Sequence, residues 1–333
     1  MAKGYNPTEY MYSSARIRAL EIKIATKDRL RHFADADSTE AILSALPELG
    51  FELVKRDGAV AREETLESLL VAGYGEIASM ETDGAVDFLK YQYDANNIKA
   101  IIKCASRGIS PDAMLSVLGT VKTDAAKQAF VDKDYSAFPK NMRAAIADAE
   151  EAFAETANPQ KIDFIIDRAC FADMLEAADR SGIELAKKLV RTKIDLCNIM
   201  MTLRIMRMKL GKTAAGILGE VFISGGSFSE DTLVDALGSG EEIFANDVVK
   251  YKYESLAAAI VDGESLGDLE RRVDDLWFSV AREAKYISFG AEIAIGYIVA
   301  LEFEVKNIRI ILAGKDAGLS PEVIRERMRD CYA

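Results

Sequence analysis

Three acid–amide pairs are the residues best placed to do chemistry: Asp94 with Asn97, Asp195 with Asn198, and Glu304 with Asn307. In each pair the Asn stands three residues after the acid, and an Ile follows it (Ile98, Ile199, Ile308). On a helix such spacings fall on one stripe. The first stripe holds Asp94, Asn97, Ile98, Ile101 and Ile102. The second continues through Thr202 and Leu203, and the third through Ile311 and Leu312. Polar groups therefore share a face with the apolar residues, and burying them is costly unless they are hydrogen-bonded. Two uses fit the pattern: an interhelix hydrogen bond that fixes packing, or direct contact with a ligand. Lys99 and Arg309, five residues after their acids, lie on an adjoining face as solvated cations or as contacts for a partner. The acids sit in separate parts of the chain, so no two-carboxylate catalytic pair can be picked out.

Other chemical signals are fewer. Gly211-Lys212-Thr213 resembles the end of a phosphate loop, but that loop needs a Gly five residues before Gly211, where Met206 stands. His32 is the single histidine; it lies among charges at the end of a helical run and reads as a solvated imidazole. The four cysteines, Cys104, Cys170, Cys197 and Cys331, form no C-x-x-C pair. With one imidazole in the chain there is no zinc-site pattern, and the thiols are expected to be reduced. No cofactor is implied. A formal net charge of -12 repels phosphate backbones, so nucleic acid is not an expected partner.

The elements that must position these pairs are helices. Half of the 333 residues are hydrophobic, 29% are charged, and there are 6 prolines. Apolar residues recur at helical spacing almost everywhere, and no convincing run alternates with period two. The chain start lacks the apolar stretch of a signal peptide. Its longest apolar run, 291-AEIAIGYIVAL-301, is shorter than a membrane span. Both 108-GISPD-112 and 318-GLSPE-322 read as a Gly stop followed by a Ser-Pro helix start with an acid in the first turn.

The pairs recur about 100 to 110 residues apart, a domain-sized period. Upstream, Asp167, Phe171 and Gly182 precede the second copy as Asp274, Phe278 and Gly290 precede the third. The expected units are 1–120, 121–240 with an insertion at 205–224, and 241–333. Three domain-sized helical repeats cannot form a long solenoid; a pseudo-threefold arrangement around an axis is the compact solution, suited to a socket or adaptor.

The segment 297-YIVALEFEVKNIRIILAGKDAGLSPEVIRERM-328 resembles the C-terminal signature of the C subunits of archaeal-type and bacterial V-type rotary ATPases, the relatives of the eukaryotic V-ATPase d subunit. The segments 187-KKLVRTKIDLCNIMMTLR-204 with 225-GGSFSEDTL-233, and 15-ARIRALEIK-23 with 93-YDANNIKAIIK-103, resemble the same family. The middle copy departs from the others: Met200 stands where they have Lys99 and Arg309. The resemblance implies an all-α funnel of three similar domains with a central cavity and no catalytic activity of its own. It implies a cytoplasmic position on the membrane proteolipid ring, reached only through partners. It also implies that the cavity receives the central-stalk tip and that the protein passes torque for ATP-linked ion transport. On that expectation Arg16, Arg18, Arg325 and Arg327, clustered on an acidic chain, supply cations to partner surfaces. A free-standing helical adaptor and an all-helical enzyme using Asp94, Asp195 and Glu304 are the competing readings.

Overall fold

The computed structural model describes residues 5–80 and 84–332. In chain order the α-helices are α1 (Met11–Glu21), α2 (Lys27–Asp35), α3 (Thr39–Ala45), α4 (Arg62–Ser79), α5 (Asp87–Arg107), α6 (Thr123–Asp132), α7 (Lys140–Thr156), α8 (Pro159–Ser181), α9 (Glu184–Met208), α10 (Ala214–Val221), α11 (Glu230–Ala236), α12 (Glu241–Phe244), α13 (Glu254–Val261), α14 (Leu266–Arg282), α15 (Ala291–Asp316) and α16 (Pro321–Arg327). The all-helical expectation holds, apart from one antiparallel pair of two-residue strands, β1 (Lys55–Arg56) and β2 (Ala59–Val60). Two residues are too few to show a period in the sequence.

Several helix starts follow from their residues. Thr26, Ser38, Ser229 and Ser320 each accept a backbone N–H of the first turn, and Asn158 does so ahead of Pro159. The two Ser-Pro steps do different work. Ser320-Pro321 opens α16, as expected, but Ser110-Pro111 leads only into a three-residue 3-10 turn, Asp112–Met114. Gly108 ends α5 in the left-handed region at φ +64°.

The chain divides into two compact units. One is continuous, Val86–Leu269; the other joins the first 85 residues to Glu270 and everything after it, the division falling inside α14. In the continuous unit α8 packs against α5, α7 and α9, and α10 rests on α8 and α9. In the other unit α15 is the central helix, contacted by α1, α2, α3, α4 and α16. Neighbours on every side explain why α15 is apolar nearly all round. Phe303 on α15 stacks on Phe278 of α14 with ring centroids 4.1 Å apart, and Trp277 also stacks with it at 5.9 Å. Among the described residues no helix is long and apolar enough to cross a membrane. The middle copy's extra segment is the end of α9, a 3-10 turn over Gly211–Thr213, and α10. Gly211-Lys212-Thr213 thus follows a helix, not the strand a phosphate loop requires.

Candidate functional site

All six motif side chains are buried: Asp94 and Asp195 are 0% exposed, Glu304 is 3%, and the three asparagines are 1% each. What the three asparagines hold is a loop. On α5, Asn97 donates through Nδ2 to the carbonyl of Ser116 at 2.9 Å and accepts the Ser116 N–H at Oδ1, 2.8 Å. On α9, Asn198 grips Ile223 in the same way, at 2.7 and 3.0 Å. On α15, Asn307 grips Arg329, at 3.2 and 2.7 Å. Each carboxamide mimics a strand neighbour, pairing donor with acceptor and acceptor with donor on one residue of the following loop.

In the first two copies the acid ties down the next turn of that loop. Asp94 accepts the N–H groups of Thr120 and Val121, each at 3.0 Å, and the Thr120 hydroxyl at 2.6 Å. Burial holds the Asp94 carboxyl above its usual range despite these donors. Asp195 accepts the Ser227 N–H at 2.5 Å, Lys252 Nζ at 2.7 Å and the Tyr253 hydroxyl at 2.9 Å. Burial and the nearby Asp195 carboxylate push the Tyr253 phenol upward. A glycine sits immediately before the first backbone donor of each acid, Gly119 before Thr120 and Gly226 before Ser227. A Cβ on Gly119 would strike Asp94 Oδ1, and one on Gly226 would strike Asp195 Oδ1.

The third copy breaks the pattern. Both carboxyl oxygens of Glu304 are buried without a hydrogen-bond partner of ordinary geometry among the described residues. Burial pushes this carboxyl up to about 8, and the Ala25 backbone N–H offsets a little of that rise.

The loop residues were not evident from the sequence. Ser116, Ile223 and Arg329 share no side-chain chemistry because the backbone is what the asparagines grip. Comparison of 116-SVLGT-120 with 223-ISGGS-227 offers a signal: Gly, then a hydroxyl residue, at matching offsets from the gripped residue. Asp173 was not evident either. It accepts the Asn141 and Met142 N–H groups, each at 2.9 Å, and so caps α7 from α8.

The cations fall into distinct settings. Arg18 forms an ion pair with Glu21 and donates to the Ala284 and Ile287 carbonyls at 2.6 and 2.8 Å. Arg16 pairs with Glu76, Lys99 with Asp167, Arg309 with Glu63, and Arg325 with both Asp35 and Glu322. Arg327 is exposed, with no ion-pair partner among the described residues. Asp274 takes Lys306 at 2.6 Å and Arg329 at 2.8 Å, whereas Asp167 serves Lys99; the two upstream acids do not share one role. His32 is exposed on α2. Among the described residues no group of three or more His, Cys, Asp or Glu side chains is placed to hold a metal ion.

Chemically, two of the motif carboxylates are saturated by donors and shielded from water. Their arrangement is that of a joint between helix and loop. Comparison with known proteins gives the same direction over almost the whole chain. A family profile described as ATP synthase (C/AC39) subunit matches residues 13–327. The C subunit of the V-type sodium ATPase of Enterococcus hirae is 24% identical over 332 residues, covering 97% of this chain and 99% of that protein. The C subunit of the A-type ATP synthase of Methanocaldococcus jannaschii is 25% identical over 344 residues, covering 95% of this chain and 85% of that protein. That of Pyrococcus abyssi is 21% identical over 345 residues, with 96% and 90% covered.

Proposed function

Because the chain belongs to the ATP synthase (C/AC39) subunit family, we propose that it is the non-catalytic coupling subunit of a V-type or A-type rotary ATPase, joining the central stalk to the membrane proteolipid ring. Its units, placed at 1–120, 121–240 and 241–333, surround a pseudo-threefold axis as a funnel whose cavity takes the stalk tip. The membrane is reached through these partners. The observation that carries the reading is the asparagine grip repeated on α5, α9 and α15. A protein that passes torque needs stiffness more than affinity, and buried, satisfied polar ties between a helix and its loop supply it. Similarity over nearly full length to proteins named as parts of rotary ATPases supports the same reading.

The motif acids are poor candidates for catalysis in this reading, since Asp94 and Asp195 are out of reach of solvent and fully engaged. Contacts to stalk and ring are carried by surface polar and charged residues and weaken with salt. Arg327 is the freest of the candidate cations for this work; Lys99, Arg309, Arg16 and Arg325 would exchange their present partners. Purification of the tagged chain from its native membrane tests the assignment. The coupling subunit brings down stalk and proteolipid subunits. Recovery with unrelated proteins identifies a free-standing adaptor, and substrate turnover by the isolated chain identifies an enzyme; either result overturns it.

A further inference from the structure

Glu304 has no counterpart in how its two relatives within the chain are satisfied. Asp94 accepts three hydrogen bonds and Asp195 accepts three, one of them from a lysine. Glu304, 3% exposed on the central helix of its unit, has no hydrogen-bond partner of ordinary geometry for either oxygen among the described residues. An isolated charge in such a place is far costlier than a neutral acid.

Among the described residues no cation acts on this carboxyl. The Ala25 N–H, between α1 and α2, points toward it. Tyr297 on α15 and Cys331 in the C-terminal segment feel its charge, and both are pushed up by burial first and by Glu304 among other acids. The other charged groups around this cluster are Glu21 on α1, Lys27 on α2, Glu76 on α4, Asp275 on α14 and Asp330 near the C-terminus. None of them contributes to the Glu304 shift. On the remaining elements against α15, Glu40 of α3 is exposed, Lys285 donates to the Tyr332 carbonyl, and Arg325 of α16 is taken by Asp35 and Glu322.

We propose that Glu304 is a proton-binding site, and that the proton it holds at neutral pH keeps the α1–α2 turn and the C-terminal segment packed on α15. Loss of the proton places a bare carboxylate beneath both segments and loosens them. The native state holds this proton more tightly than the unfolded chain does. The stability it confers is therefore complete below the ordinary glutamate range, falls as pH rises toward about 8, and is level above that. The folded-to-unfolded ratio of the wild type relative to Glu304→Gln falls by up to about three orders of magnitude across this window.

The test uses the full chain with glutamate labelled at the side-chain carboxyl carbon, followed by NMR from pH 5 to 10, beside hydrogen exchange of Ala25 and of residues 329–332. One glutamate carboxyl stays protonated through neutrality in the wild type, and its signal is missing from Glu304→Gln. Exchange at these amides rises above the intrinsic base-catalysed increase in the wild type alone. A Glu304 that titrates in the ordinary range, as it would if an ordered water or a cation kept it ionised, overturns the proposal. So does equal exchange in the two proteins. If Glu304→Gln does not fold, Glu304→Leu supplies the assignment and the wild-type titration decides.

Discussion

Replacing Asn198 by Leu removes the best-shielded of the three grips while keeping the same branched side-chain skeleton. Asn198 is 1% exposed and its partner Ile223 is 9% exposed, so water cannot replace the lost bonds at 2.7 and 3.0 Å. The Ile223 N–H and carbonyl are left unpaired inside the unit, at about 1–3 kcal/mol each. The added apolar burial returns about 1–2 kcal/mol. The expected net loss is about 1–4 kcal/mol. For a unit of this size that lowers the melting temperature by roughly 2–15 °C. Urea and thermal unfolding of the full chain measure it, with Asn97→Leu as the companion. Ser116 is partly exposed, so water restores some of what it loses and the cost is smaller. Asn198→Leu melting with the wild type would refute this reasoning, as would Asn97→Leu costing more. Unchanged melting together with lost stalk binding would assign the asparagines to a partner-facing surface.

Other expectations concern the acids, their glycines and the cations. Asp94→Asn turns an amide toward backbone donors that need acceptors and costs about 1–3 kcal/mol in urea unfolding. Gly226→Ala places a methyl group against Asp195 Oδ1 and destabilises by about 1–3 kcal/mol, with Gly119→Ala behaving alike against Asp94. Glu304→Gln is more stable than the wild type above pH 8, by about 5 kcal/mol at most, and the advantage vanishes as pH falls toward 4.5. Arg18→Glu lowers the melting temperature because its guanidinium braces the Ala284 and Ile287 carbonyls. Arg327→Glu leaves melting unchanged and weakens recovery of partner subunits at moderate salt.

The helical class was legible because apolar periodicity and capping residues agreed, as at Ser229 and Ser320. The acid–amide pairs were legible as buried polar groups because they stood on apolar stripes. Their partners were not, since an amide that grips backbone leaves no demand on the side chain it grips. The distances to those partners also differ, 19, 25 and 22 residues. Ser110-Pro111 and Ser320-Pro321 read alike in sequence. Their outcomes diverge because Ser320 caps the Val323 N–H ahead of a helix of several residues with a buried Ile324. Ser110 caps only Asp112, whose turn buries nothing. The six arginines and lysines looked equivalent as surface charge. Only geometry separates Arg18, which holds two carbonyls, from Arg327, which holds none.

One unit is assembled from segments that a continuous unit separates in the chain. On the ribosome the nascent α1 to α4 emerge long before α15, the helix they surround. The intervening segment has all its partners at hand and can collapse while synthesis proceeds. The first helices must stay open, or be chaperoned, until α15 arrives and closes a loop of more than two hundred residues. Truncation within α15 would therefore harm the beginning of the protein as much as its end.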